Sequence, residues 1–302
     1  MSYCVNCGKE YNNSSGACPN CFSDQVTPNE VINAELSKNK LRRPDPHDLK
    51  FGFPGEKGAL ILSIAISLTL VVILGAISFG LFFGILALNL FYLKIRHLSS
   101  QKNMIRISKN NFKNIFLLSK VAAFRLKLPQ PEIYIVHDPQ YSAYTLGFYK
   151  YGFIVINSAM ASDFKLAELL FVIGHELGHM KRYHTTWLNL TNPAREGSAN
   201  FIFAPIMKAI FNVWSVKAEF TADQAGLIAC QEIGSAITSL LKIAGGPDVE
   251  KEVDITKIVH PQGEAADILS GMAEYLSAHP FVENRIKQLM HFSSTREKTI
   301  LK

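Results

Sequence analysis

Residues 171 to 184 read FVIGHELGHMKRYH, with His175 and His179 four apart and Glu176 beside the first. On a helix that spacing puts both imidazoles on one side, one turn apart, where they can converge on a single ion. Glu176 is then close enough to take a proton from a water held there. Zinc with three protein ligands and one open position lowers the pKa of such a water to about 7. Forty residues past His179, in WSVKAEFTADQAGLIA, Glu219 and Asp223 are again four apart. They supply what a His2Glu site still needs: a third ligand from a second helix, and a carboxylate one turn on. Asp223 can accept the second ring N–H of a ligand histidine and so fix its tautomer. An exposed acidic helix face is the bland alternative, and the upstream H-E-x-x-H weighs against it. His184 is read as a structural residue at the helix end, because His175, His179 and Glu219 complete the protein shell.

A second constellation lies at the start of the chain. Cys4, Cys7, Cys18 and Cys21 form two C-x-x-C knuckles separated by ten residues. Two knuckles turn four thiolates toward one point and close a tetrahedral shell around a second, structural zinc. About twenty residues cannot bury a core, so the metal must supply the folding energy. The stretch resembles the short zinc-ribbon modules at the ends of many bacterial proteins. Four of five cysteines in one cluster argue for metal in a reducing compartment rather than for a disulfide scaffold. The fifth, Cys230, reads as a buried thiol in an apolar helix. The net charge of +6 comes from dispersed lysines and arginines. No basic cluster surrounds the cysteines, which argues against nucleic acid.

These residues need elements to position them. Residues 1–24 read as the ribbon and 25–56, broken by prolines, as a linker. From Gly58 to Leu93 no charged residue occurs. One straight helix of that length would run about 54 Å, against roughly 30 Å of hydrocarbon. Residues 57–95 therefore read as a transmembrane helical hairpin of two short spans meeting near Gly75 to Gly80. Basic residues at both ends place both ends in the cytoplasm. Residues 100–302 read as a mixed α and β catalytic domain. A helix stops before Pro129, EIYIV is a strand, and YSAYTLGFYKYGFIVINS is a hairpin whose turn Gly147 and Gly152 bracket. Further helices are expected at about 163–183, 202–230, 263–277 and 283–292. The apolar stretch 198–216 cannot be a lone span, which would strand His179 and Glu219 on opposite membrane faces. Lys208, Asn212 and Ser215 mark one polar stripe along it.

HELGH, EFTAD and the late HPFVENRI together resemble the HtpX-like family of membrane-bound zinc metallopeptidases, related to the type 1 CAAX prenyl proteases. The likeness runs from about residue 58 to 290 and leaves out the ribbon. It implies an α+β, gluzincin-type domain with zinc on His175, His179 and Glu219 and with Glu176 as catalytic base. It places His279 and Arg285 beside the cleft, where they support it or the developing oxyanion. Where the family carries Asn-Ala-Phe/Tyr, this chain has Ser142, Ala143 and Tyr144. The implied reaction is peptide-bond hydrolysis on an extended, unfolded or membrane-protein substrate, added as a strand along the hairpin at Ala143 and Tyr144. The implied setting is the bacterial inner membrane, with ribbon and catalytic domain facing the cytoplasm and a role in quality control. The competing reading is a non-catalytic adaptor that recruits a protein partner through the ribbon.

Overall fold

The computed structural model describes residues 2–3, 10–11, 51–78, 83–84, 87–88, 104–148, 151–191, 204–247, 249 and 282–300. Two short strands, β1 (Ser2–Tyr3) and β2 (Glu10–Tyr11), pair antiparallel with Ser2 opposite Tyr11. They bracket Cys4 and Cys7; these two, with Cys18 and Cys21, lie outside the described residues.

Helix α1 (Glu56–Ile77) runs unbroken for 22 residues, about 33 Å. Among the described residues it is the one helix long and apolar enough to cross a membrane. Its apolar side chains stay largely uncovered: Ile61 is 67% exposed, Val72 67% and Ile77 70%. A core helix of a water-soluble domain would bury those faces. The helix ends inside the window where the sequence places the hairpin's bend, and the Phe83 ring lies against Gly75. The rest of the expected second span lies outside the described residues, apart from Phe83, Gly84, Ala87 and Leu88 in helical conformation.

Among the described residues the main sheet has four strands in the order β3-β4-β6-β5. These are β3 (Ile105–Arg106), β4 (Glu132–Val136), β5 (Ala143–Phe148) and β6 (Tyr151–Asn157). β4 and β6 run parallel and the other pairs antiparallel, so β5 is an edge strand. Gly147 pairs with Gly152 and Phe148 with Tyr151, which sets the hairpin turn where the sequence reading has it. Alternation along β6 feeds two cores: Ile154 and Ile156 enter the main one, while Phe153 and Val155 join Leu146 on the other face.

Helix α2 (Lys113–Arg125) packs Ile115, Leu118, Val121 and Ala122 into the main core. After β6 come α3 (Ser158–Asp163), α4 (Leu166–Lys181), α5 (His184–Thr191), α6 (Ala204–Cys230), α7 (Ile233–Gly245) and α8 (Val282–Ile300). The sequence reading anticipates α4, α6 and α8 but not α3, α5 or α7. The helix expected at 263–277 lies outside the described residues. α7 has its own amphipathic stripe, with Ala236, Ile237, Leu240 and Leu241 inward, and follows α6 after only two residues. The sequence reading ends its helix at residue 230, as α6 does, and assigns no element to the stripe that follows.

Two differences concern the membrane-proximal elements. Residues 51–55, at the end of the stretch read as linker, are built onto α6. Gly52 N–H donates to Gln224 Oε1 at 2.8 Å, Phe53 N–H to Thr221 Oγ1 at 2.8 Å, and the Phe53 and Phe220 rings meet at 4.9 Å. The N-terminal half of α6 then runs antiparallel to α1, with Ser63 Oγ donating to the Ile210 carbonyl at 2.9 Å. Asn212, read as part of a polar stripe, is buried.

Candidate active site

α4 is the central helix of the domain, buried from Leu166 through His179 except at Ala167. Small residues let α6 approach it closely. A Cβ on Gly178 would lie 2.6 Å from the Ala225 Cβ, one on Gly226 would lie 2.7 Å from the Phe171 ring, and Gly174 lies against Ala229. Only this close approach lets a short glutamate on α6 reach two histidines on α4.

The three side chains meet. His175 Nε2 and His179 Nε2 are 3.1 Å apart, and each lies 3.5 Å from a different oxygen of Glu219. Their donor atoms all fall within 4.8 Å of one another. A tetrahedral zinc shell with bonds of about 2.0–2.1 Å sets its donors about 3.3 Å apart, so the set fits that ion. The charge balance fits as well. Among the described residues, Glu176, Glu219 and Asp223 are buried at the site, and Arg285 is the permanently charged cation beside them. Buried carboxylates in excess call for a further positive charge.

The second ring nitrogens are held from outside. His175 Nδ1 donates to Asp223 Oδ1 at 2.9 Å. Arg285 clamps that carboxylate with two bonds, Nε to Oδ2 at 2.8 Å and Nη2 to Oδ1 at 2.6 Å, and its Nη2 lies 3.6 Å from Glu219 Oε2. Burial opposes charge on Asp223, but Arg285 and His175 outweigh it and hold the carboxyl below its usual range. Burial likewise opposes a proton on His175, yet Asp223 and Glu219 push its pKa up to about 9 in the metal-free site. For His179 burial prevails over Glu219, and its pKa falls to about 4.

Glu176 is 2% exposed and receives a hydrogen bond from Thr145 Oγ1 on β5, at 2.6 Å to Oε2. The edge strand thus holds the candidate base. His175, Glu176, Glu219 and Arg285 open onto a cleft of about 810 Å³, with Ala143 and Tyr144 on one wall and Leu240 and Ile243 of α7 among the residues opposite. His279 lies outside the described residues.

His184, set aside by the sequence reading, touches the site. Its Nδ1 is 3.2 Å from His179 Nδ1, and its Nε2 is 3.0 Å from Glu56 Oε1. It lies beside the His175, His179 and Glu219 cluster rather than within it. No local pattern marks Glu56 or Thr145, because both reach the site only through folding, from 128 residues before His184 and 31 before Glu176.

With this geometry in place, the comparisons with known proteins are decisive. The profile of peptidase family M48 matches residues 114–293. The chain belongs to peptidase family M48. Within M48 it is HtpX-like. It is 28% identical over 216 residues to the plastoglobule-localized metallopeptidase 48, chloroplastic, of Arabidopsis thaliana, covering 66% of this chain and 62% of that one. It is also similar to protease HtpX homologs. The identity is 23% over 230 residues in Bacteroides fragilis (62% of this chain, 70% of the relative) and 24% over 231 in Ralstonia nicotianae (64% and 78%). The chain thus spans a little under two thirds of the Arabidopsis relative's length. No solved structure matches it. M48 metallopeptidases use zinc, in keeping with the His-His-Glu cluster.

Proposed function

We propose that this M48 metallopeptidase is a membrane-anchored zinc endopeptidase that hydrolyses peptide bonds in extended or unfolded polypeptides. The observation that carries the reading is the convergence of His175, His179 and Glu219 beside Glu176, which the edge strand holds at the wall of an open cleft. His175, His179 and Glu219 would hold the zinc, which when bound polarises the scissile carbonyl and acidifies the attacking water.

The protein's own groups do the rest. Glu176 receives the Thr145 hydroxyl on one oxygen, which leaves the other to take the proton of the attacking water and return it to the departing amine. Asp223, clamped by Arg285, keeps the His175 ring turned with Nε2 inward. β5 stands at the end of the strand order with Ala143 and Tyr144 on the cleft wall, where a substrate would add as a further strand and recognition would rest on main chain more than on side chains. Arg285 and His279 are the residues proposed to steady the cleft and the developing negative charge.

The uncovered apolar faces of α1 support membrane anchorage, and the Phe83 ring against Gly75 supports a chain that turns back after Ile77. With basic flanks at both ends, the ribbon and the catalytic domain would face the cytoplasm. The site stands level with the first turn of α1, so the cleft would open at the membrane surface, suited to damaged membrane proteins. In this reading the ribbon holds a second, structural zinc on Cys4, Cys7, Cys18 and Cys21 and offers a surface for a protein partner.

The test is proteolysis by the full chain purified in detergent. It should cleave an unfolded polypeptide, lose that activity to a chelator and regain it with zinc. Glu176→Gln should lose turnover while keeping its metal. Undiminished cleavage by that variant would remove Glu176 from its role.

A further inference from the structure

Glu56 opens the first turn of the membrane helix and yet is only 5% exposed. An acid in that position helps the helix through its dipole even when fully solvated, so capping does not require burial. Burying a carboxylate is costly unless every oxygen is engaged. Here they are engaged: Oε1 accepts from His184 Nε2 at 3.0 Å with Arg182 Nη2 at 3.9 Å, and Oε2 accepts from the Thr221 hydroxyl. Thr221 is itself fully buried and accepts the Phe53 N–H, so the turn entering α1 and its first acid are fastened to one point on α6.

The direction of each bond then follows. A carboxylate only accepts, so His184 donates from Nε2, and as a neutral ring it presents a lone pair at Nδ1. That lone pair faces His179 Nδ1 at 3.2 Å, so His179 must donate there and keep its own lone pair on Nε2. Nε2 is the atom that meets His175 and Glu219. Trp214, edge-on to the His184 ring at 5.8 Å, leaves that ring little room to turn. The arrangement mirrors the Arg285–Asp223–His175 chain on the opposite side of the site.

We infer that Glu56 is a positioning residue for the zinc ligand His179, acting through His184, so that the seating of the membrane helix against α6 sets how firmly the catalytic metal is held. This rests on the zinc reading of His175, His179 and Glu219. The geometry assigns Glu56 no contact with substrate. Its effect passes through the tautomer and orientation of one ligand, as outer partners of metal-bound histidines do, for which loss costs roughly 10- to 100-fold in metal affinity.

The experiment measures zinc itself. Full-length protein in detergent micelles is equilibrated with zinc and a chromogenic chelator, and the Glu219→Gln variant, which keeps the ribbon cysteines, is subtracted. Glu56→Ala and His184→Ala should each weaken the remaining site by about 10- to 100-fold, and the double variant should be no weaker than either alone. Glu56→Gln, which keeps an acceptor for His184 Nε2–H, should recover most of the affinity. It also keeps the result readable should Glu56→Ala unfold, and circular dichroism on each variant identifies that event. Wild-type affinity in folded Glu56→Ala, or losses that add in the double variant, would overturn the inference. No difference between wild type and Glu219→Gln would instead overturn the zinc reading beneath it.

Discussion

The hydroxyl of Thr145 and the carboxylate of Glu176 are 2.6 Å apart, and both side chains are buried. The bond joins the edge strand to α4 and holds the carboxylate of the proposed base in one orientation. Thr145→Val keeps the shape and removes the donor, so kcat should fall by about 10- to 100-fold with KM and zinc content near wild type. Thr145→Ser should restore most of the rate. Steady-state kinetics with metal analysis checks this, and an unchanged kcat in the valine variant refutes it.

Close packing of α4 on α6 makes a second prediction. A methyl group on Gly178 meets Ala225 Cβ at 2.6 Å and Ala222 Cα at 3.1 Å, so Gly178→Ala must push apart the two helices that carry His175, His179 and Glu219. Overpacking of this kind costs about 1–3 kcal/mol. Thermal unfolding in detergent should shift down and zinc content should fall. Gly234→Ala, on α7 with nothing within 4 Å of the added carbon, should leave both unchanged or slightly raise stability. Equal behaviour of the two variants would refute the account.

The part of the site legible in the sequence was the part written at helical spacing. His175 and His179, and later Glu219 and Asp223, each sit one turn apart on their own helix, so a period of about four is enough to find them. Arg285 came only through its likeness to a known motif, and the structure brings it onto Asp223. Thr145, Glu56 and the contact of His184 with His179 had no such pattern. Thr145 and Glu56 come in where a strand or a distant helix crosses α4 or α6, and residue spacing cannot reveal a crossing. His184 lies only five residues past His179, but beyond the end of α4, where helical spacing no longer says which way a ring turns. The hydrophobic period likewise located α4, α6 and the hairpin, while α7, whose apolar stripe follows α6 almost without a break, went unassigned.

Cys230 offers a check on burial at the far end of α6. It is 8% exposed, and burial pushes its thiol up to about 12. At pH 8 the thiolate that alkylating reagents require is therefore scarce. Native protein should label at Cys230 at least about a thousandfold more slowly than urea-unfolded protein. Peptide-level mass spectrometry separates this cysteine from the four near the N-terminus. Rapid native labelling would show that the end of α6 opens readily.

Zinc uptake should be coupled to one proton. In the metal-free site Asp223 and Glu219 hold His175 protonated up to about pH 9, whereas His179 is already neutral above about 4. Zinc binds only neutral imidazole, so below pH 9 it must displace the His175 proton. The sign follows: apparent affinity should rise about tenfold per pH unit from pH 7 and level off near 9. The metal-free fold should behave in the opposite sense. A raised folded pKa contributes stability that is fully present below about 6.5, the ordinary histidine value, and is lost as pH climbs through 9. Chelator competition between pH 6.5 and 9.5, with Glu219→Gln subtracted, reads the first effect, and unfolding of metal-stripped protein reads the second. Asp223→Asn removes the charge that holds the proton. In that variant the affinity slope should level off at lower pH, while overall affinity drops because His175 loses its orienting partner. An affinity independent of pH in the wild type would mean that His175 is neutral before the metal arrives.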